Sequence, residues 1–338
     1  MEGVRRVDVG GPHFEDLEPG QVYDAPALTL TTGLTAIHQA ITGDRLALPL
    51  DATLSSEVTG EEQTLVHPNL VCDVAIGQST VPTQRVLGNL FYRGLVLLRP
   101  VHVGDTLRTR TEVVAMKQNR PRSDGSASGL AALRIQTENQ RGEPVLDFYR
   151  CPMIPLREPG LVTGHADRFE AIPTELDLER VREAVPDWRY GALRARLPAA
   201  EPEPSPGMLF AVEGREAVTT SPELARLTLN LAMTHRDSAA GAHGRRLVYG
   251  GQTISIAAAA AAAALPSLAT IVAWRSCEHS APVFEGDMLS TEVTYEGEIQ
   301  LDRSGAALAD LRAIVHADRG TGEPAEQVLD WAFLGVLA

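Results

Sequence analysis

Cysteine is scarce and scattered in this sequence. Cys72, Cys151 and Cys277 stand far apart with no CxxC spacing, so neither a disulfide framework nor a zinc knuckle is indicated. A reducing cytoplasm is the expected compartment. A long hydrophobic run is also missing. The most apolar stretch, residues 253–265, ends at Pro266 and falls short of the roughly 20 residues that cross a bilayer. No apolar segment follows Met1-Glu2-Gly3-Val4-Arg5-Arg6, which speaks against a secretory signal. Basic residues are outnumbered, 30 Lys and Arg against 44 Asp and Glu, for a net charge of −14. Such a chain lacks the clustered cationic surface that a phosphate backbone requires. The expected protein is soluble, holds no metal and engages neither nucleic acid nor membrane.

What the sequence does have is a phrase that occurs twice. Arg99-Pro100-Val101-His102-Val103-Gly104-Asp105-Thr106-Leu107 returns as Ala281-Pro282-Val283-Phe284-Glu285-Gly286-Asp287-Met288-Leu289, and the two glycines are separated by 182 positions. At the same offset His67, in Val-His-Pro-Asn, meets Tyr249, in Val-Tyr-Gly-Gly. Two landmarks sharing one long offset indicate a duplicated domain, and 338 residues suffice for two ordinary cores.

Each copy reads in the same order. In the first, a short strand and lead-in over 21–32 precede a helix over 33–42, a loop over 43–64 and a helix from Pro68 to about Thr80. Alternating strands follow over 90–98, 106–117, 129–139 and 144–152, with a turn-rich hairpin tip at 120–126. In the second, Ser221-Pro222-Glu223 predicts a helix start with Ser221 as N-cap, running to about Thr234. A loop over 235–246 leads to a helix over 252–265, then strands over 269–278, 288–300, 305–318 and 327–337. Helices first and antiparallel strands after give an α+β class. Between the copies, 176–184 predicts a short helix, and the proline-rich acidic run 198–206 a semi-extended linker. The expected domains are 1–156, then a linker over 157–208, then 209–338.

Several residues carry candidate chemistry. Gly250 and Gly251 open a helix, where unpaired N–H groups at the positive end of the dipole can hold a developing oxyanion; an ordinary turn is the plainer reading. The matching first-copy positions are Pro68 and Asn69, and Pro68 has no N–H. His235 follows the preceding helix with Asp237 two residues on, a spacing suited to a general base and its orienter, although a lone loop histidine is commonly a surface residue. Arg245 and Arg246 are either a solvated pair or contacts to a phosphorylated carrier. The run Ala257 to Ala264 reads as high helix propensity or as a helix slim enough for a curved sheet to wrap. His38, His102, His243, His279 and His316 show no constellation in the sequence.

At these residues a family resemblance emerges. Gly-Asp-x-Leu after Pro-Val, with a glycine-led helix upstream, resembles MaoC-like dehydratases of the hotdog fold. The tandem arrangement resembles double-hotdog hydratases, most closely the mesaconyl-CoA hydratase (β-methylmalyl-CoA dehydratase) group. Gly244 to Gly251 and His279 to Asp287 carry it, with Leu107 to Asn119. The resemblance implies a tandem hotdog, each half a curved antiparallel sheet around a central helix. It implies a lyase acting on an enoyl-CoA or 3-hydroxyacyl-CoA thioester, with CoA as part of the substrate, no separate cofactor, and a homodimer or higher homo-oligomer. His235 and Asp237 fit the His-x-Asp part of the hydratase motif, whereas Asn230 stands where its first Asp would be; in the first copy Asp44 fits but Pro49 replaces the histidine. The expected catalytic set is His235, Asn230, Asp237, Gly250 and Gly251, with Tyr249, Arg245 and Arg246 on substrate, all in the second half. The first half is expected to supply binding surface. Two rivals stay open: a repurposed tailoring enzyme of secondary metabolism, and a non-catalytic acyl-thioester binding protein.

Overall fold

The computed structural model describes residues 7, 9–123, 125–197, 203–241, 244–299, 301 and 305–338. Asp124 of the hairpin tip, linker residues 198–202, His243 and the end of the predicted strand at Gln300 lie outside them. The repeated phrase folds into the same turn twice. Gly104 and Gly286 both take positive φ, 101° and 94°, which glycine adopts without steric cost. The Asp105 carboxylate accepts from the His102 N–H at 2.9 Å and Asp287 from the Phe284 N–H at 3.0 Å. Gly104 N–H donates to the Leu30 carbonyl, and Gly286 N–H to that of Val218.

From these turns spring matching sheets. In the first half, β1 (Val22–Asp24), β2 (Leu28–Thr29), β3 (Gly88–Arg93), β4 (Thr106–Gln118), β5 (Ser128–Glu138) and β6 (Pro144–Pro155) form an antiparallel sheet of order β1-β4-β5-β6-β3, with β2 also on β4. In the second, β7 (Met208–Ala217), β8 (Leu268–Glu278), β9 (Met288–Ile299), β10 (Ala307–Asp318) and β11 (Glu326–Leu337) are ordered β7-β9-β10-β11-β8. Position for position the orders are the same. The edges join: Leu97 N–H donates to the Val272 carbonyl and Trp274 N–H to that of Leu95, so a β-bridge at Val96 and Ala273 makes one continuous surface. Pairing the two edges removes what would otherwise be an aggregation-prone border.

Among the described residues eight α-helices complete the fold: α1 (Thr32–Thr42), α2 (Ala47–Leu50), α3 (Ala52–Thr59), α4 (Pro68–Gln78), α5 (Leu178–Ala184), α6 (Tyr190–Arg194), α7 (Ser221–Leu227) and α8 (Gly250–Ala264). The central ones are α4, buried along its whole length, and α8. Ala257, Ala258 and Ala261 of α8 pack with Val293, Leu311 and Phe333 of its sheet and with Leu70 and Val74 of α4 in one core spanning both halves. The alanine run thus gives a helix slim enough to lie against the curved sheet while touching its counterpart. Where α4 passes the second half, Gly77 is required: a methyl there would overlap the Thr228 carbonyl.

Several expectations need correction. The loop over 43–64 contains α2 and α3; Asp51 caps α3 by accepting from the Leu54 N–H, and Gly60 closes it in the left-handed region. The helix expected to reach Thr234 stops at Leu227, because Leu229 is itself left-handed, with φ 58°, a conformation that breaks a helix. Its N-cap is Thr220, not Ser221, which is already helical. The edge strand β7 has no counterpart among the predicted strands; it is mostly exposed, so it lacks the apolar alternation of its neighbours. Within the 157–208 segment, α6 is an additional helix, and Val181, Val185, Tyr190 and Leu193 bury against Ala273 and Leu334. That segment is therefore packed rather than a free spacer up to residue 197. No described helix is long and apolar enough to cross a membrane.

Candidate active site

The start of α8 is chemically open. The Gln252 N–H bonds back to the Tyr249 carbonyl, but among the described residues none accepts from the Gly250 or Gly251 N–H, and Tyr249 provides no side-chain cap. Two amides at the positive end of a 15-residue helix thus remain available for an oxygen carrying negative charge. The corresponding end of α4 is closed. Pro68 has no N–H, the Asn69 N–H is taken by His67 Nδ1 at 3.0 Å, and the Leu70 N–H by the His67 carbonyl.

His235 stands beside the open end, in a single 3-10 turn over Met233–His235. Its Nδ1 lies 3.0 Å from the Leu247 carbonyl. A carbonyl only accepts, so Nδ1 carries the proton and Nε2 keeps a free lone pair. Burial pushes the His235 pKa down to about 4 against the opposing pull of the Leu247 carbonyl, with Arg236 and Arg150 lowering it further. The ring is therefore neutral at pH 7, with Nε2 the unprotonated nitrogen. It lies 5.4 Å from the Tyr249 ring, centroid to centroid. His279 joins the group: a methyl on Gly250 would come within 2.6 Å of its Nε2.

The first half reaches into the same place. Asp73 of α4 is 1% exposed, and its carboxylate sits so close to Gly251 that a methyl there would overlap it. The Tyr249 hydroxyl donates to the Asp73 main-chain carbonyl at 3.1 Å. Among the described residues Asp73 Oδ2 has no hydrogen-bond partner; it lies 3.8 Å from His38 Nε2, which is likewise unpartnered among them. Burial raises the Asp73 pKa despite His38, His67 and Tyr249, and burial lowers that of His38 despite Asp73. Both groups are driven toward their neutral forms.

Beyond His38 lies His67, ring centroids 5.5 Å apart. With Nδ1 accepting from Asn69, His67 directs Nε2–H at Asp44 Oδ1, 3.3 Å away. Burial opposes ionisation of Asp44, yet His67 and the Leu46 N–H outweigh it and hold the pKa below its ordinary value. Asp44 is thus a buried carboxylate. Asp44, His67 and His38 border a cavity of about 250 Å³ that is also lined by Thr35, Gln39 and Leu70.

The structure gathers His235, Tyr249, Gly250 and Gly251 and sets the remaining expected residues apart from them. Asn230 is buried, and its Oδ1 accepts from the Ala232 N–H at 2.9 Å, as Asp44 does from Leu46 at 2.8 Å; the two are equivalent turn-forming residues. Asp237 is exposed and accepts from the Ala239 N–H, so the observed partner of the His235 ring is the Leu247 carbonyl. Arg245 stacks on Phe284 at 4.0 Å, and Arg246 pairs with Glu285. Sequence reasoning missed Asp73, His38 and His67. The signal was present: at the 182-residue offset Asp73 falls on Ser255 and Asn69 on Gly251, an inequality inside the central helices.

Two hotdog sheets, each wrapped on a central helix and joined edge to edge, with an imidazole at an open helix start, define a double-hotdog protein. Across 98% of this chain and 100% of its own, the Mycobacterium tuberculosis protein RV0216, described as having a double hotdog fold, superposes with a TM-score of 0.86 at 43% identity. The β-methylmalyl-CoA dehydratase of Chloroflexus aurantiacus is 29% identical over 299 residues, 82% of this chain and 80% of that protein. The mesaconyl-CoA hydratase of Cereibacter sphaeroides is 29% identical over 328 residues, 90% of each. No family model matches the sequence. The chain has the double hotdog fold of RV0216 and is similar over most of its length to these two acyl-CoA hydratase and dehydratase enzymes.

Proposed function

We propose that this protein adds water to, or removes it from, the double bond conjugated to the carbonyl of an acyl-CoA thioester, as the mesaconyl-CoA hydratase relative is named for doing. The observation that carries the reading is the fixed tautomer of His235 beside two unclaimed helix amides. In the hydration direction Nε2 takes a proton from water as its oxygen adds to the β-carbon. The charge displaced onto the thioester oxygen is held by the Gly250 and Gly251 N–H groups, already oriented before the reaction. Tyr249 sets the start of α8, and Asn230 shapes the turn that delivers His235. The cavity bordered by His38 receives the acyl end, and Arg245 and Arg246 lie toward the CoA. We further infer a cytoplasmic homo-oligomer; three buried, unpaired cysteines suit a reducing compartment.

Hydration of mesaconyl-CoA and crotonyl-CoA by the wild type and His235→Ala tests this directly. General-base loss should lower kcat by at least about 100-fold. Equal turnover in the two proteins would remove His235 from the reaction.

A further inference from the structure

The duplication offers two equivalent places for an active site. Each would combine the start of one central helix with the middle of the other. At one, Gly251 opens α8 and Asp73 of α4 lies against it. At the other, Asn69 stands at the start of α4 and Ser255 is the counterpart of Asp73. There the amides are absent or occupied, and Asn69 Nδ2, Asn69 Oδ1 and Ser255 Oγ are buried without partners among the described residues. Glycine, free amides and a carboxyl therefore coincide at one place and are all missing from its counterpart. Packing alone gives no reason for this coincidence, because a buried carboxyl with an unpaired oxygen costs stability.

We propose that Asp73, carried by the N-terminal half, is the acid that serves the α-carbon in the active site at the start of α8. The inference rests on the hydratase reading and completes it, since His235 alone handles one of two protons. In hydration the oxygen of water bonds to the β-carbon and its released proton goes to His235 Nε2. The α-carbon takes the proton of the Asp73 carboxyl, the π pair becoming the new C–H bond. The thioester oxygen, negative between the two events, rests on the Gly250 and Gly251 amides. A proton passing from His235 back to Asp73 restores the resting state. Dehydration runs the same steps in reverse, with Asp73 removing the α-proton and His235 protonating the departing hydroxyl.

The surroundings fit these roles. Around Asp73 stand His38 from α1, His67 at the N-cap of α4, Tyr249 before α8, Tyr92 from β3 and the neighbouring Cys72. Around His235 are Arg236, Arg150, His279 and Tyr249. Burial dominates at both, raising the acid and lowering the base. Environments that push two pKa values apart in this sense leave a protonated acid and a neutral base together.

Two reactions separate Asp73 from His235: enoyl-CoA hydration, and solvent deuterium uptake at the α-carbon of butyryl-CoA, which has no β-hydroxyl to lose. Asp73→Asn should lower both by at least about 100-fold. His235→Ala should lower hydration far more than deuterium uptake, since butyryl-CoA has neither a water to activate nor a hydroxyl to protonate. Asp73→Ser, which installs the residue found at the equivalent position 255, should behave as Asp73→Asn. Folded Asp73→Asn or Asp73→Ser protein with wild-type rates would overturn the role of Asp73 while leaving the hydratase reading intact. A wild type that hydrates no enoyl thioester would overturn that reading itself. Should neither variant fold, wild-type deuterium uptake is followed against pH: a rise through one ionisation supports Asp73, and a flat rate overturns it.

Discussion

A single carbonyl decides what His235 can do. Leu247 takes the Nδ1 proton into a hydrogen bond, and burial keeps the ring from charging until about pH 4. The same burial has a thermodynamic consequence. His235 and His38 both have folded-state pKa values below the ordinary 6.5, so below that pH, and for His235 down to about 4, the unfolded chain binds more protons than the folded one. Their contribution is present above that window and is lost as pH falls through it, by up to about 1.4 kcal/mol per pH unit for each group. Urea-unfolding midpoints between pH 7 and 4 should therefore fall steadily, and His235→Ala should flatten part of the slope. A midpoint independent of pH over that range would contradict the burial argument. Asp44 acts lower down: its pKa is depressed, so its contribution holds above the ordinary carboxylate value and disappears only below it.

At the scale of elements, much is legible in the sequence. The strands β4 to β6 and β8 to β11 announce themselves by alternation, and the central helices by Pro68 and Gly250-Gly251, because periodicity and end signals are local properties. What escapes is set by contacts across the chain. The helix α7 ends at Leu227, short of the expected Thr234, because helical continuity is overridden at Thr228 and Leu229, where the chain turns to pass α4. The hydroxyl of Thr228 bonds back to the Leu224 carbonyl, and the Leu231 N–H reaches Thr80 of the other half. His38, His67 and Asp73 escape for the same reason: each sits alone in the sequence, and only the crossing of α1, α4 and α8 brings them to one place. That crossing gives a prediction. Gly77→Ala should destabilise the protein by about 3 kcal/mol, since its methyl meets the Thr228 carbonyl and backbone cannot yield as a flexible side chain does. Chemical denaturation measures it, and a change within roughly 0.5 kcal/mol, the scatter of neutral surface substitutions, would show that the helices have room.

At the scale of the whole molecule, duplication produced a pseudo-dimer whose halves share a sheet edge and a core. On the proposed reading the second half holds the base and the oxyanion donors. The first half blocks its own helix start with Pro68 and His67 and lends Asp73 to the other. A chain that had kept both places intact would bind two thioesters; the unequal copies leave one. Titration of the 338-residue chain with a non-reacting acyl-CoA analogue, followed by calorimetry, counts them. The account predicts one thioester bound per chain, abolished by Gly251→Ala, whose methyl would overlap Asp73. Two equivalent thioesters per chain would contradict it.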